Sequence, residues 1–398
     1  MKGIEGGITA AKGYKTGAVH SGIRASQSKK DLAVIVSEVP CQAAAVYTSN
    51  IVKAAPLHIT REHLGEGTAQ AIVINSGNAN ACAPRGEENA LREAQAAAKL
   101  LGLKTEDVLV ASTGVIGQEL PIEVIETAMG QIVLTDDSAD TARAIMTTDT
   151  KMKQTAVEFE LDGKTVHLGG IAKGSGMIHP NMGTMLCFVT TDAAISQSVL
   201  QQSLSKIVKK TFNRISVDGD TSTNDMCIVL ANGLAGNEEI TQQNDVFDQA
   251  LESVMKDLAV MIASDGEGAS RLIISTVVNA ADETQAETLA MSVASSSLFK
   301  AAMFGSDANW GRVLCAMGYS GAKFDPEKVD VLFQSDAGTV EVAKNGRGLD
   351  FDEDLAKKIL SRDQVQVVMN LHEGDVSVTC WGCDLTYDYV KINGDYRS

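Results

Sequence analysis

The sequence predicts a layered α/β fold rather than a doubly wound one, and three observations carry that expectation. Two buried-strand patterns, residues 70–75 and 107–112, each finish in a small polar stretch before a helical pattern begins. From Thr150 the chain turns strand-rich, with Asp162-Gly163 between the apolar runs 155–161 and 165–172 as a hairpin signal. No GxGxxG follows the first strand and no Walker loop occurs, so nothing in the sequence supports nucleotide binding.

The elements follow in order. The strand at 70–75 leads into Ser76-Gly-Asn-Ala-Asn-Ala, then an Ala-rich helical pattern over 87–101. The strand at 107–112 ends in Thr113-Gly114-Val115-Ile116-Gly117, and Pro121 sits at a helix start, where a missing N–H costs nothing. After the hairpin, 185–191 is an apolar strand. Helical periodicity returns at 198–212 and 245–262, 271–279 is a further strand, and one long helix is expected over 282–304. From Val329 a small α+β unit follows, with strands at 329–333, 365–371 and 375–379. Strands with helices segregated around them suggest layers. The expected division is a catalytic α/β core over 1–280 and a smaller α+β domain over 281–398.

The chain has 398 residues, 44% hydrophobic and 21% charged, enough for about two domains with ample core. Its net charge of −17 argues against nucleic acid or an anionic membrane as partner, since both need a basic face. No membrane-spanning run and no apolar signal core is visible, so a cytoplasmic location is expected. Seven scattered cysteines fit reduced thiols; Cys380-Trp-Gly-Cys383 has redox spacing but reads as packed thiols in a strand-rich context, and no metal site is expected.

The most informative stretch is Lys173-Gly-Ser-Gly-Met-Ile-His-Pro-Asn-Met-Gly-Thr184, a Gly-rich loop running straight into an apolar strand. The glycines and Pro180 alone make a turn. Thr184 at the junction is an ordinary strand starter or a nucleophile that frees its own amine by chain cleavage. That amine then serves as the base a weak Thr nucleophile needs, with a reference pKa of about 7.7 to 8.0. Further polar clusters sit at 75–80, 112–114, 147–150, 218–225, 264–268 and 307–312. Singly each is a turn or helix cap. Together they are the pattern of a site built from loop ends on a rigid sheet.

The segment Lys173-Gly-Ser-Gly-Met-Ile-x-Pro-Asn-Met-x-Thr184-Met-Leu resembles the signature of the ornithine acetyltransferase family, arginine-biosynthesis proteins that act as glutamate N-acetyltransferases. The resemblance spans the chain through Asn75-Ser-Gly-Asn-Ala-Asn, Ser112-Thr-Gly-Val-Ile-Gly, Asp218-Gly-Asp-Thr-Ser-Thr-Asn-Asp, Asp265-Gly-Glu-Gly-Ala, Asp307-Ala-Asn-Trp-Gly-Arg and the tail from Asp388 to Ser398. It implies an α-β-β-α sandwich of the ornithine acetyltransferase / DmpA-like type with a smaller C-terminal α+β domain. It implies self-cleavage between Gly183 and Thr184 into α (1–183) and β (184–398) chains, an α2β2 assembly, and an acetyl group carried on Thr184 between N-acetylornithine and glutamate. Thr113 and Gly114 match the oxyanion residues. Thr150, Lys173, Glu267, Asn393 and Ser398 match substrate contacts, with Lys173 suited to an α-carboxylate and Glu267 to an ammonium. No cofactor is expected, and acetyl-CoA stays open as a co-substrate. His179 and Gly183 stand where the family usually has Ala; Gly183 keeps the scissile carbonyl unhindered, and His179 is given no catalytic role. Two other readings remain open from the residues: an N-terminal-nucleophile amidohydrolase or aminopeptidase of similar fold, and a non-enzymatic binding protein whose polar loops are only turns.

Overall fold

A computed structural model describes residues 1–24, 29–179 and 185–394. Gly183, Thr184 and Ser398, which the sequence assigns to the cleavage site and to substrate, therefore lie outside the described residues. The chain is mixed α/β and divides into two compact units. One takes 1–174, 180–213 and 220–262; the other takes 175–179, 214–219 and 263–398.

The strands, numbered along the chain, begin with β1 (Lys2–Ile4), β2 (Tyr14–Val19), β3 (Leu32–Tyr47), β4 (Thr68–Asn78), β5 (Val108–Val115), β6 (Lys153–Leu161), β7 (Lys164–Lys173), β8 (Leu186–Thr191), β9 (Ile215–Ser216) and β10 (Met226–Ala231). All but β9 form the sheet of the first unit, in the order β1-β6-β7-β8-β10-β3-β4-β5 with β2 also on β3. The pairs β4·β5 and β8·β10 are parallel and the rest antiparallel. This sheet is buried on both faces. On one, Val34, Val73 and Val110 pack against helices Gly86–Leu101 and Ile122–Met129. On the other, Ile35, Ile72 and Leu109 pack with Ile8 and with Ala142 of helix Ala139–Ala144. Two covered faces explain why its central strands read as continuous apolar runs instead of alternating ones. Ala90, Ala94 and Ala97 line the first helix where it meets the sheet, and their small side chains let the backbones approach.

The second unit holds β9 with β11 (Leu272–Ala280), β12 (Asp330–Ser335), β13 (Gly338–Lys344), β14 (Arg347–Gly348), β15 (Gln364–Asn370) and β16 (Val376–Cys383). Their order is β14-β13-β12-β15-β11-β16-β9. Ile273, Val277, Phe333, Val367 and Met369 face one core with Leu289, Val293 and Ile359 from the helices Glu283–Ser295 and Glu353–Leu360. The units divide at 262/263, earlier than the 280/281 boundary expected from the sequence, because β11 sits between β15 and β16 inside the second sheet. The single helix expected over 282–304 is two, Glu283–Ser295 and Ser297–Phe304. Ser296 breaks it: the residue is extended, and its Oγ accepts from the Phe299 N–H as an N-cap. The polar tail is helical over Tyr387–Gly394. Among the described residues no helix is long and apolar enough to cross a membrane.

Candidate active site

In the first unit the site grows from the ends of β4 and β5. Ser76 lies opposite Thr113 and Gly77 opposite Gly114 in parallel register. This pairing carries the strands on to Asn78 and Val115, past Asn75 and Ser112 where the sequence pattern ended them. Thr113 and Gly114 thus belong to a strand end and not to a turn. Gly114 has φ +138°, and a Cβ there would lie 2.2 Å from the Gly77 carbonyl carbon, so only glycine fits. Asn224 locks the same place, donating from Nδ2 to the carbonyls of Ala79 at 2.6 Å and Ser112 at 2.8 Å. Its Oδ1 accepts from Thr223 Oγ1 at 2.6 Å, which leaves the amide one orientation.

Lys173 ends β7, and its Nζ donates to Thr113 Oγ1 at 3.2 Å. A hydroxyl that accepts from an ammonium keeps its own proton to donate elsewhere, which suits Thr113 to a developing oxyanion. The ammonium itself is held by a buried charge cluster. Asp149 Oδ1 accepts from Lys153 Nζ at 2.7 Å and from the Gly174 N–H at 2.7 Å, while Oδ2 accepts from the Thr147 N–H at 3.0 Å. The Asp149 and Lys153 side chains are 0% and 1% exposed. Burial pushes the Asp149 carboxyl up, but Lys173 and Lys153 outweigh it and hold it at about 2. Burial lowers the Lys173 pKa, with Asp149 opposing. Lys153 and Lys173 both act on Asp149 here, which sets a buried charge cluster beside the Thr113 hydroxyl. Thr150 follows Asp149 and is exposed.

In the second unit Glu267 is 6% exposed, and its Oε2 accepts from Asn393 Nδ2 at 2.7 Å. Asn393 comes from the tail helix Tyr387–Gly394. Gly176 lies directly on this carboxylate; a Cβ there would sit 2.3 Å from Oε2. The Glu267 N–H donates to the Ser175 carbonyl at 2.8 Å, so two bonded backbones bring the loop and the carboxylate together. His179 Nδ1 lies 3.1 Å from Ser216 Oγ.

Of the residues singled out in the sequence, Thr113, Gly114 and Lys173 converge in the first unit, and Glu267 and Asn393 pair in the second. Sequence reasoning placed Asp149 and Asn224 in polar clusters but gave them no role, and it passed over Lys153. The Asp149–Lys153 spacing of four was the available signal, yet it reads equally as a solvated ion pair. Cys380 and Cys383 lie on β16 three residues apart, which puts them on opposite faces of a strand, and burial raises both thiols. They are packed thiols and not a redox couple.

A model of the ArgJ family matches residues 15–398. The chain belongs to the ArgJ family. Among its relatives, the arginine biosynthesis bifunctional protein ArgJ of Thermotoga neapolitana is 50% identical over 395 residues, covering 97% of this chain and 99% of that one. The arginine biosynthesis bifunctional protein ArgJ 1 of Clostridium acetobutylicum is 52% identical over 399 residues, covering 98% and 97%. The ArgJ protein of Bacillus subtilis is 46% identical over 401 residues, covering 99% and 97%. Membership in the ArgJ family agrees with the resemblance carried by the 173–186 signature.

Proposed function

We propose that the chain is a self-cleaving acetyltransferase that moves the acetyl group of N-acetylornithine to glutamate through an acetyl-Thr184 ester, giving ornithine and N-acetylglutamate. The observation that carries this reading is the Lys173–Thr113 contact beside Gly114, a preorganised set of donors at a strand end. In maturation Thr184 Oγ attacks the Gly183 carbonyl carbon and the Gly183–Thr184 C–N bond breaks. The nitrogen takes the proton and becomes the free α-amine; water then hydrolyses the ester to the Gly183 carboxyl and the Thr184 hydroxyl. In catalysis the same Oγ attacks the acetyl carbonyl, with the α-amine as base, and ornithine leaves with the proton. The glutamate amine then takes the acetyl group from Thr184. Thr113 and the Gly114 N–H stabilise each tetrahedral oxyanion, Lys173 draws the carboxylate end of the substrate, and Glu267, set by Asn393, pairs with its ammonium. Thr150 and Ser398 complete the substrate contacts. The proposal includes an α2β2 assembly in the cytoplasm and leaves acetyl-CoA as a second donor to be assayed with glutamate.

Purified protein should run as two chains, the second beginning at Thr184, and Thr184→Ala should stay a single chain. Incubation with N-acetylornithine and no glutamate should add one acetyl mass to the 184–398 chain. Continuous release of free acetate in that incubation would identify a hydrolase instead. Thr113→Ala should lower kcat by about 100- to 1000-fold with a smaller change in KM, since the hydroxyl acts mainly in the transition state. A raised KM at unchanged kcat would make Thr113 a ground-state binder.

A further inference from the structure

We propose that Asp218 is the positioning residue for chain scission, an inference that rests on the self-cleavage proposed above. Its two carboxylate oxygens take two successive backbone donors from the loop that leads to the junction: Oδ2 accepts from the Met177 N–H at 2.6 Å and Oδ1 from the Ile178 N–H at 2.7 Å. Two adjacent amides aimed at one anion need an unusual backbone, and Met177 supplies it with φ +56°, a region that residues with a side chain rarely adopt. The residue before Asp218 is equally engaged: the Val217 N–H donates to the Ile178 carbonyl at 2.6 Å, and Ile178 is fully buried. Asp218 therefore fixes both the conformation and the place of residues 177–178, five residues ahead of Gly183. An intramolecular attack depends on how few conformations the reacting groups explore, so a clamp this close in sequence acts on the rate of scission even though it touches neither reacting atom. The same Oδ2 also accepts from the Tyr389 hydroxyl at 3.2 Å, one turn before Asn393 on the tail helix. One carboxylate thus sets the cleavage loop and the helix that holds Glu267.

The test follows appearance of the 184–398 fragment in cell-free translation of the full chain. Asp218→Asn keeps the size of the side chain but turns an NH2 group toward one of two backbone donors. It should slow scission by roughly tenfold to a hundredfold, the scale of a small misplacement of reacting groups. Asp384 is the comparator, because it accepts from two successive N–H groups of the same unit, Ser270 at 2.8 Å and Arg271 at 3.2 Å. Asp384→Asn should lower the unfolding midpoint yet cleave at the wild-type rate, and so should Tyr389→Phe, which leaves both backbone bonds to Asp218 in place. If D218N does not accumulate as folded protein, Asp218→Glu takes its place with the same expected slowing, its oxygens being one methylene out of position. D218N or D218E cleaving at the wild-type rate, or D384N slowed as much, overturns the inference while the scission reading stands. A wild-type chain that never splits overturns both.

Discussion

Replacing Asp149 by Ala is expected to destabilise the protein by about 3–5 kcal/mol, the usual cost of removing one partner of a buried ion pair. The change deprives the buried Lys153 of the carboxylate 2.7 Å away and removes the acceptor for the Gly174 N–H at the end of β7. Lys173 then loses the stronger of the two anions, Asp149 and Asp225, that favour its ammonium against burial, so activity should fall further than stability alone accounts for. The pH dependence has a definite sign. Asp149 is held at about 2, below its ordinary value of 3.8, so its contribution is complete above about pH 4 and is lost as the pH falls toward 2. Urea unfolding at pH 7 reads the loss directly; a change below about 1 kcal/mol would mean that the cluster relaxes and the pair is not the anchor of Lys173.

The second large effect concerns Glu93, which is fully buried on helix Gly86–Leu101. Burial raises its carboxyl from 4.5 to about 8, with the Asn75 amide opposing. The folded state therefore keeps the proton that the unfolded chain releases near pH 4.5. Stability from this group is greatest below that pH and declines as the pH rises toward 8, by up to about 1.4 kcal/mol per pH unit. Glu93→Gln carries no titratable proton and should abolish the decline, so the variant gains on the wild type by about 3–5 kcal/mol between pH 5 and pH 8. Denaturant midpoints of the two proteins across that range check it, and parallel curves would show that Glu93 is not protonated in the fold. The surroundings agree with a neutral acid. The Asn75 Oδ1 is buried with no partner in the present orientation, and turning the amide over lets it accept from a protonated Glu93. The Asn75 amide also reaches Ser112 Oγ at 2.6 Å, immediately before Thr113.

What the sequence made legible follows physical signal strength. Asp162-Gly163 located the β6–β7 hairpin because an Asp-Gly turn between β-formers has few other uses, and the pairing runs from Lys153↔Ala172 to Leu161↔Lys164. The Ala-rich helix was legible from its period. Strand β10 was not, because MCIVLA is buried throughout and a continuous apolar run carries no period. Strand β3 was hidden by Pro40 within it, where its register against β4 shifts between Val36 and Cys41. In the site, the signature loop and the Thr113-Gly114 pair were legible as motifs, whereas Asp149, Lys153 and Asn224 were not. Their roles depend on partners brought from elsewhere in the chain, and a buried charge looks like a solvated one until the fold surrounds it.

The order of strands in the first sheet has a mechanical consequence. A cut between residues 183 and 184 leaves β1–β7 on one piece and places β8 and β10 on the other. Yet β8 hydrogen-bonds to β7 on one side and to β10 on the other, and β10 goes on to pair with β3. The two pieces are woven into one sheet and cannot part like subunits that meet at a surface; separating them strips strands out of a hydrophobic core. Proteolytic maturation at that bond would turn a unimolecular fold into a bimolecular one. Once such a two-chain protein had unfolded, its recovery would depend on concentration.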